Sequence, residues 1–400
     1  MKSLFRDKVD ENKYYIATYH LKSSPSSTLR EAAFNLAVGQ SIGNPAKRAE
    51  METEEMFENH ACIVLADESE LEKKVEGDVS IAFPEANIDF ATDGISQLLV
   101  QTMGGQMDID VIEKCRMLDI KFTPTMLSCL KGPIIGLKEI KEYCKIPDDQ
   151  VILGGITKPK IGLTPELHLE LVKRLVDGGC NFIKEDEILS GAAHCPLEKR
   201  VELVSNYLAN CGSPVFYCVS IHSDPAYLLK RVQQVYDLGG NGIHVNFHCG
   251  LGAYKSIRET ELPLLMHYQK SGDRVLNHHS HRYSIEASLM FKLVSLSGCG
   301  TLHAGMIGGY LESGDEEVKN IMSILNSQNS VPALSCGMHP GLVKHIQKTV
   351  GHANWMANVG GAITSHPMGT AAGARAMKQA ITEDYGKEFG VAATKWGIEM

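Results

Sequence analysis

From residue 151 almost to the C-terminus, short apolar runs alternate with amphipathic helical stretches. The runs fall at residues 151–157, 181–185, 215–220, 242–247, 275–281, 301–304, 332–336 and 355–359. Helices lie between most of them. Residues 165–175 follow Thr164 and residues 225–238 follow Asp224, each with a proline in the first turn, where its missing N–H costs nothing. Eight β-then-α units in roughly 240 residues have the count and size of a (β/α)8 barrel, an α/β architecture. A doubly wound open sheet is the alternative, but the Gly-rich turn that usually follows its first strand is not evident.

The first third has a different texture. Residues 14–21 are β-rich, 28–38 are helical, and 61–66 with 79–83 read as a strand pair. A short helix over 95–101 and a strand over 117–122 complete a smaller α+β, ferredoxin-like domain. Another helix, over 137–144, leads out of it. The chain is therefore expected to divide into an N-terminal α+β domain, 1–145, and a TIM-barrel domain, 146–400. Its 400 residues, 44% hydrophobic and 22% charged, are enough for one large and one smaller core.

Charge and composition exclude several classes of partner. A net charge of −9 argues against non-specific nucleic-acid binding, which needs a basic surface. No stretch approaches the ~20 apolar residues of a membrane helix. Met1 to Tyr14 is charged and lacks the apolar core of a signal peptide. The 11 cysteines are scattered with no Cys-x-x-Cys pair, as expected of free thiols in a reducing cytoplasm.

Barrels of this kind keep their chemistry at the C-terminal ends of the strands. Polar residues here gather at those ends. Lys158 and Lys160 follow the first strand, and Lys184, Asp186 and Glu187 end the second. His281 and Arg282 end the expected fifth strand and His303 the sixth. Ser335 and Gly337 end the seventh, and Gly360 and Gly361 the eighth. Each alone suits a solvated barrel mouth. Together they point to a site, because polar side chains are costly to bury in a packed core.

In Phe182-Ile-Lys-Glu-Asp-Glu-Ile, the two-residue period puts Lys184 and Asp186 on one face and Glu185 on the other. Glu187 lies just past the strand end. Hard carboxylate oxygens suit magnesium. A protonated lysine between them forms only an ion pair, whereas carbon dioxide added to a neutral lysine gives a carbamate, a third anionic ligand. Lowering a lysine from ~10.4 to ~7.5 requires about 4 kcal/mol from burial and neighbouring cations. Lys158 and Lys160 could supply such a field. A charged, ion-paired strand end remains the alternative from this segment alone.

The motifs Gly155-Ile-Thr-Lys-Pro-Lys-Ile-Gly-Leu and Gly178-Gly-Cys-Asn-Phe-Ile-Lys-Glu-Asp-Glu closely resemble the RuBisCO large chain. Ser280-His-Arg, Leu302-His-Ala-Gly, Ser335-Cys-Gly-Met-His and Gly360-Gly-Ala-Ile-Thr-Ser-His-Pro-Met-Gly resemble the same family in the same order. The likeness covers residues 151–380 and is looser before them. It implies that Lys184 is carbamylated by activating carbon dioxide, and that with Asp186 and Glu187 it binds one magnesium ion per subunit. It implies that Lys158 transfers protons, that Lys160 lines the pocket, and that His281 lies at the reacting end of the substrate. Arg282, His303 and Ser335 would hold one phosphate group. The backbone at Gly337, Gly360 and Gly361 would serve the other phosphate site, where absent side chains allow close approach. The family is built on homodimers, so a dimer or larger homo-oligomer is expected, with a phosphorylated small molecule as substrate.

Departures from the family pattern change the expected reaction. Carboxylating members carry a lysine in the loop after strand six, where Ala304-Gly-Met-Ile-Gly-Gly-Tyr places Tyr310. A neutral phenol cannot replace an ammonium facing developing negative charge. Gly39 and Gly105 fall where a glutamate and an asparagine are expected, and Asn44 with Pro45 replace a phosphate-contacting pair. The pattern resembles the RuBisCO-like, non-carboxylating branch. Its implied activity is magnesium-dependent enolisation or isomerisation of a phosphorylated sugar-like ketone, in methionine salvage, sulfur metabolism or an oxidative-stress response. A carboxylase with an unusual loop, a phosphometabolite-binding barrel without turnover, and a Schiff-base aldolase are the rivals.

Overall fold

A computed structural model of the protein describes residues 4–44, 47, 49–310 and 314–398. The chain forms two compact units, Met1–Lys131 with Gly272–Leu293, and Gly132–Ser271 with Val294–Met400. The expected change of domain is at 145/146. The units divide earlier, and residues 272–293 return to the first.

The first unit is built on a five-stranded sheet. Tyr14–Ser23 lies at its centre, antiparallel to both Glu76–Pro84 and Ile112–Lys121. Ile63–Val64 pairs with Glu76–Pro84 at one edge, and Tyr283–Ile285 runs parallel to Ile112–Lys121 at the other. Burial along Tyr14–Ser23 alternates strictly, with Tyr15, Ala17, Tyr19 and Leu21 inside. This period marks a sheet with one covered face. The helix Leu29–Gly39 packs on it through Ala32, Ala33 and Leu36. A reciprocal capping box between Thr28 and Glu31 starts that helix.

The second unit is a closed barrel of eight parallel strands. In chain order they are Ile152–Ile156, Phe182–Lys184, Phe216–Ser220, Gly242–Asn246, Leu265–Gln269, Thr301–Gly305, Val331–Leu334 and Met356–Val359. The expected barrel is therefore present, and every expected strand but one lies where the sequence placed it. The exception is the fifth. Residues 275–281 contain the end of a short helix, Arg274–Asn277, and a loop, and Val275 and Leu276 are exposed. The true fifth strand, Leu265–Gln269, is buried throughout. A parallel strand covered on both faces needs a near-continuous apolar run. Leu264-Leu-Met supplies one, and Val275-Leu-Asn-His-His does not.

The helix Pro165–Asp177 begins as expected at Thr164, whose side chain accepts from the backbone N–H of Leu167. At one end of the barrel Ile152, Phe182, Phe216, Leu265, Val331 and Met356 form an apolar cluster. Ile140 and Cys144 of the helix Leu137–Cys144 close it. All 11 cysteines are free. No described helix is long and apolar enough to cross a membrane. The apolar plug takes up the N-terminal strand ends, which leaves the C-terminal ends for polar side chains.

Candidate active site

Those C-terminal ends surround a cavity of about 620 Å³. Lys158, Lys160, Lys184, Asp186, Glu187, His303, Ser335, Gly337, Gly360 and Gly361 all line it. The polar residues that the sequence scattered over two hundred positions thus converge, with two exceptions. His281 and Arg282 belong to the first unit and do not line the cavity. His281 sits in a loop, its N–H donating to the carbonyl of His278 at 3.1 Å. Arg282 donates from Nε to the Glu113 carbonyl at 2.8 Å, next to the strand Tyr283–Ile285. Their expected place at the end of the fifth barrel strand is corrected. Gln269 ends that strand, and Gln269 and Ser271 line the cavity there.

Lys184 is 2% exposed at the end of the second strand. Its Nζ lies 3.4 Å from Glu187 Oε2 and 3.3 Å from Gln269 Oε1. Burial lowers its pKa against the upward pull of the Glu187 and Asp186 carboxylates, and the Lys158 cation adds to the lowering. Asp186 is 1% exposed, and its Oδ2 accepts from Lys158 Nζ at 2.5 Å. Glu187 Oε1 accepts from Ser271 Oγ at 2.9 Å, and Gln269 Nε2 donates to that same hydroxyl. Burial acts to raise the Glu187 carboxyl, but Lys184 and the hydrogen bonds it receives bring it down to about 2.

Across the cavity, His303 Nε2 and Ser335 Oγ are 2.7 Å apart. Burial, then the Lys270 and Lys184 cations, push His303 down to about 3, so its imidazole is neutral at ordinary pH. Gly337 has φ +106°, and a Cβ there would lie 3.1–3.3 Å from Gly309 and Tyr310. Only glycine fits this backbone without strain, and its absent side chain lets residues 309–310 approach. At Gly360 a Cβ would meet Lys158 Cε at 3.2 Å. The helix Gly361–Thr364 starts beside it, so first-turn N–H groups that no intrahelical carbonyl can satisfy lie at the cavity wall.

Tyr310 also lines the cavity and is 78% exposed. Partial burial and then the Cys336 thiol raise its pKa, so it remains a neutral phenol. In the first unit, a side chain on Gly39 would meet the far end of the Gln106 side chain. Around Gly105 the corresponding space is open, and Pro45 lies outside the described residues.

Other lining residues carry no role in the sequence expectation, among them Asn358, His339 and Trp396. Asn358 points inward from the last strand, buried, with no partner for its amide. His339 and Trp396 stack with ring centroids 5.5 Å apart, which brings the C-terminal helix Lys387–Trp396 into the wall. The polar step Gln269-Lys-Ser after an apolar run could have revealed the fifth strand end. No local signal marks Trp396.

The donor set fits magnesium on one condition. Asp186 and Glu187 supply hard oxygens, and an ammonium at Lys184 would repel the ion. A carbamate at Lys184 would complete an all-oxygen set, and burial that favours the neutral amine favours that adduct.

The model of the ribulose bisphosphate carboxylase large-chain catalytic domain matches residues 136–389, and that of its N-terminal domain matches residues 6–126. The chain belongs to the RuBisCO large-chain family. Within that family it is 27% identical to a ribulose bisphosphate carboxylase of Methanocaldococcus jannaschii, over 76% of each chain. It is 28% identical to a 2,3-diketo-5-methylthiopentyl-1-phosphate enolase of Bacillus licheniformis, covering 96% of this chain and 98% of the relative. The octameric Rubisco of Pyrococcus horikoshii superposes with a TM-score of 0.88 at 23% identity, over 99% of this chain and 97% of that one. The fold is the RuBisCO fold, and both curated relatives are enzymes of that family, by name a carboxylase and an enolase.

Proposed function

We propose that the protein is a RuBisCO-like enzyme that enolises or isomerises a phosphorylated sugar-like ketone and does not fix carbon dioxide. The observation that carries this reading is Tyr310. A neutral phenol stands at the cavity mouth, at the position the family resemblance gives to the loop lysine of carboxylating members, and Lys158 and Lys184, which this reading takes as proton-handling, line the same cavity. The full-length similarity to the Bacillus enolase agrees with it, and a methylthio-sugar phosphate is the first substrate to try.

In this reading Asp186, Glu187 and a carbamate on Lys184 hold one magnesium ion. Bound there, the ion supplies Lewis-acid polarisation of a ketone oxygen. Lys158, or the Lys184 carbamate, takes the proton from the carbon beside the carbonyl. The C–H electron pair moves into the new C=C bond, and the carbonyl pair moves to oxygen, which is then protonated to the enol. Lys158 donates to Asp186 Oδ2 at 2.5 Å, which orients its amine at the cavity wall. His303 with Ser335 forms one wall for a phosphate group and the backbone at Gly337, Gly360 and Gly361 another, while Lys160 guards the exposed rim. The protein works as a cytoplasmic homodimer or larger homo-oligomer.

A second reading is a true carboxylase, favoured by the similarity to the Methanocaldococcus enzyme. Proton exchange by NMR together with carbon-label incorporation decides between them, in deuterated water with magnesium and bicarbonate, across phosphorylated ketoses and methylthio-sugars. The expected result is deuterium beside a ketone carbonyl and no acid-stable label from carbon dioxide with ribulose bisphosphate. Acid-stable label establishes the carboxylase. Absence of exchange with every ketone sinks the enolase, and borohydride trapping of substrate on Lys158 or Lys184 establishes a Schiff-base aldolase.

A further inference from the structure

Behind the cavity, on the far face of the second barrel strand, Glu185 is completely buried and does not line the site. Its carboxylate accepts from Arg200 Nε at 2.7 Å and Nη2 at 3.0 Å, from the Ser220 backbone N–H at 2.8 Å, and from the Tyr217 hydroxyl. Arg200 is equally buried and donates from Nη1 to the Cys195 carbonyl at 2.8 Å. His168 Nε2 backs Tyr217 at 2.9 Å.

These bonds join the end of the second strand to the end of the third, to the helix Leu197–Asn210, and to the turn that precedes it. Segment 186–195, which carries Asp186 and Glu187, is bracketed between Glu185 and Cys195. Glu185 sits between Lys184 and Asp186 in sequence, and in an extended chain its side chain points away from theirs. Fixing one face therefore fixes the other. Stability is a weak reason for such a pair, since desolvation offsets most of the attraction of a buried Glu and Arg. Orientation of the residues in front is a stronger one.

We propose that Glu185 and Arg200 are positioning residues that hold Lys184, Asp186 and Glu187 in the spacing needed to share one divalent cation. The inference rests on the metal reading above, and its test separates the two. The double variant Glu185→Gln/Arg200→Met removes both charges at similar volume, and Tyr217→Phe removes a single hydrogen bond. Magnesium affinity is measured by calorimetry in bicarbonate, the carbamate by ¹³C NMR, the thermal midpoint by calorimetry, and backbone hydrogen exchange over residues 183–188 by mass spectrometry.

The expected result for the double variant is a thermal midpoint close to wild type, magnesium affinity lower by about 10- to 100-fold, and faster exchange over 183–188 alone. Tyr217→Phe should shift affinity and exchange in the same direction by less, and it carries the test if the double variant does not fold. Wild-type affinity and exchange in folded variants overturn the proposal. If wild-type protein binds no magnesium, the metal reading fails, and the exchange of residues 183–188 still decides whether the pair positions this segment.

Discussion

Lys158 and Asp186 meet at 2.5 Å across the ends of adjacent barrel strands, with Asp186 buried and Lys158 partly open to the cavity. The pair holds an amine on the substrate side of a carboxylate assigned to the metal. Lys158→Met should therefore slow proton exchange by about 10²- to 10⁴-fold, the range for loss of a general acid–base group. Magnesium affinity should change far less, because Lys158 donates no ligand. Exchange rates and magnesium titration of the variant check both halves, and equal loss in both would assign Lys158 to the metal site.

Tyr310→Lys tests whether the loop residue alone sets the reaction. Tyr310 is largely exposed, so the change should leave stability within about 0.5 kcal/mol. The expected outcome is continued proton exchange and still no acid-stable carbon label. On the proposed reading, Gly39 is a second departure from the carboxylating pattern, independent of Tyr310. Appearance of label in the single variant would show that Tyr310 was the sole barrier.

Much of this site was legible in the chain because barrel chemistry follows strand ends. Once strands were read from apolar runs, Lys184, His303, Ser335 and Gly360 were placed without tertiary information. The failure at His281 and Arg282 came from the same rule applied to a false strand. Residues 275–281 have polar ends but too little apolar content for a strand buried on both faces, and Tyr283–Ile285 joins the other sheet. Trp396 and the Glu185–Arg200 pair were hidden for a different reason. Their roles depend on which helix packs where, and no spacing within one segment encodes that.

Glu187→Gln should flatten the acid limb of the stability curve. The Glu187 carboxyl is held down at about 2 in the fold, below the ~4.3 of an unfolded chain. A depressed carboxylate adds stability that is complete above the unfolded value and disappears as pH falls toward the folded one. The difference between wild type and variant should thus be constant above about pH 5.5 and shrink between roughly pH 4.3 and 2. Denaturant titrations across that range read it directly. A difference independent of pH would deny Lys184 and Ser271 their effect on this carboxyl.

Gly337→Ala should cost stability and binding together. At φ +106° an alanine carries backbone strain of order 1–3 kcal/mol, and its Cβ would press on residues 309–310 at 3.1–3.3 Å. The variant should melt lower and show a raised KM for phosphorylated substrates, with kcat less affected. Loss of stability with an unchanged KM would remove Gly337 from the phosphate wall.

Substrate binding should show no titration of His303 near neutrality. His303 is pushed down to about 3 by burial and by Lys270 and Lys184, so it is neutral in the free protein from pH 5.5 to 8. Were it an ordinary histidine near ~6.5, phosphate affinity would rise as pH fell through that value. The KM of the free enzyme should instead be flat apart from ionisation of the substrate's own phosphate, which a phosphonate analogue of shifted pKa separates. Ser335→Ala removes the 2.7 Å partner of His303 Nε2 and leaves it only the Cys336 thiol at 3.8 Å, at a cost of about 1 kcal/mol. It should raise KM at every pH in that range by a similar factor. A KM that falls with a histidine-like midpoint both in wild type and in His339→Asn would mean that His303 binds phosphate as a cation.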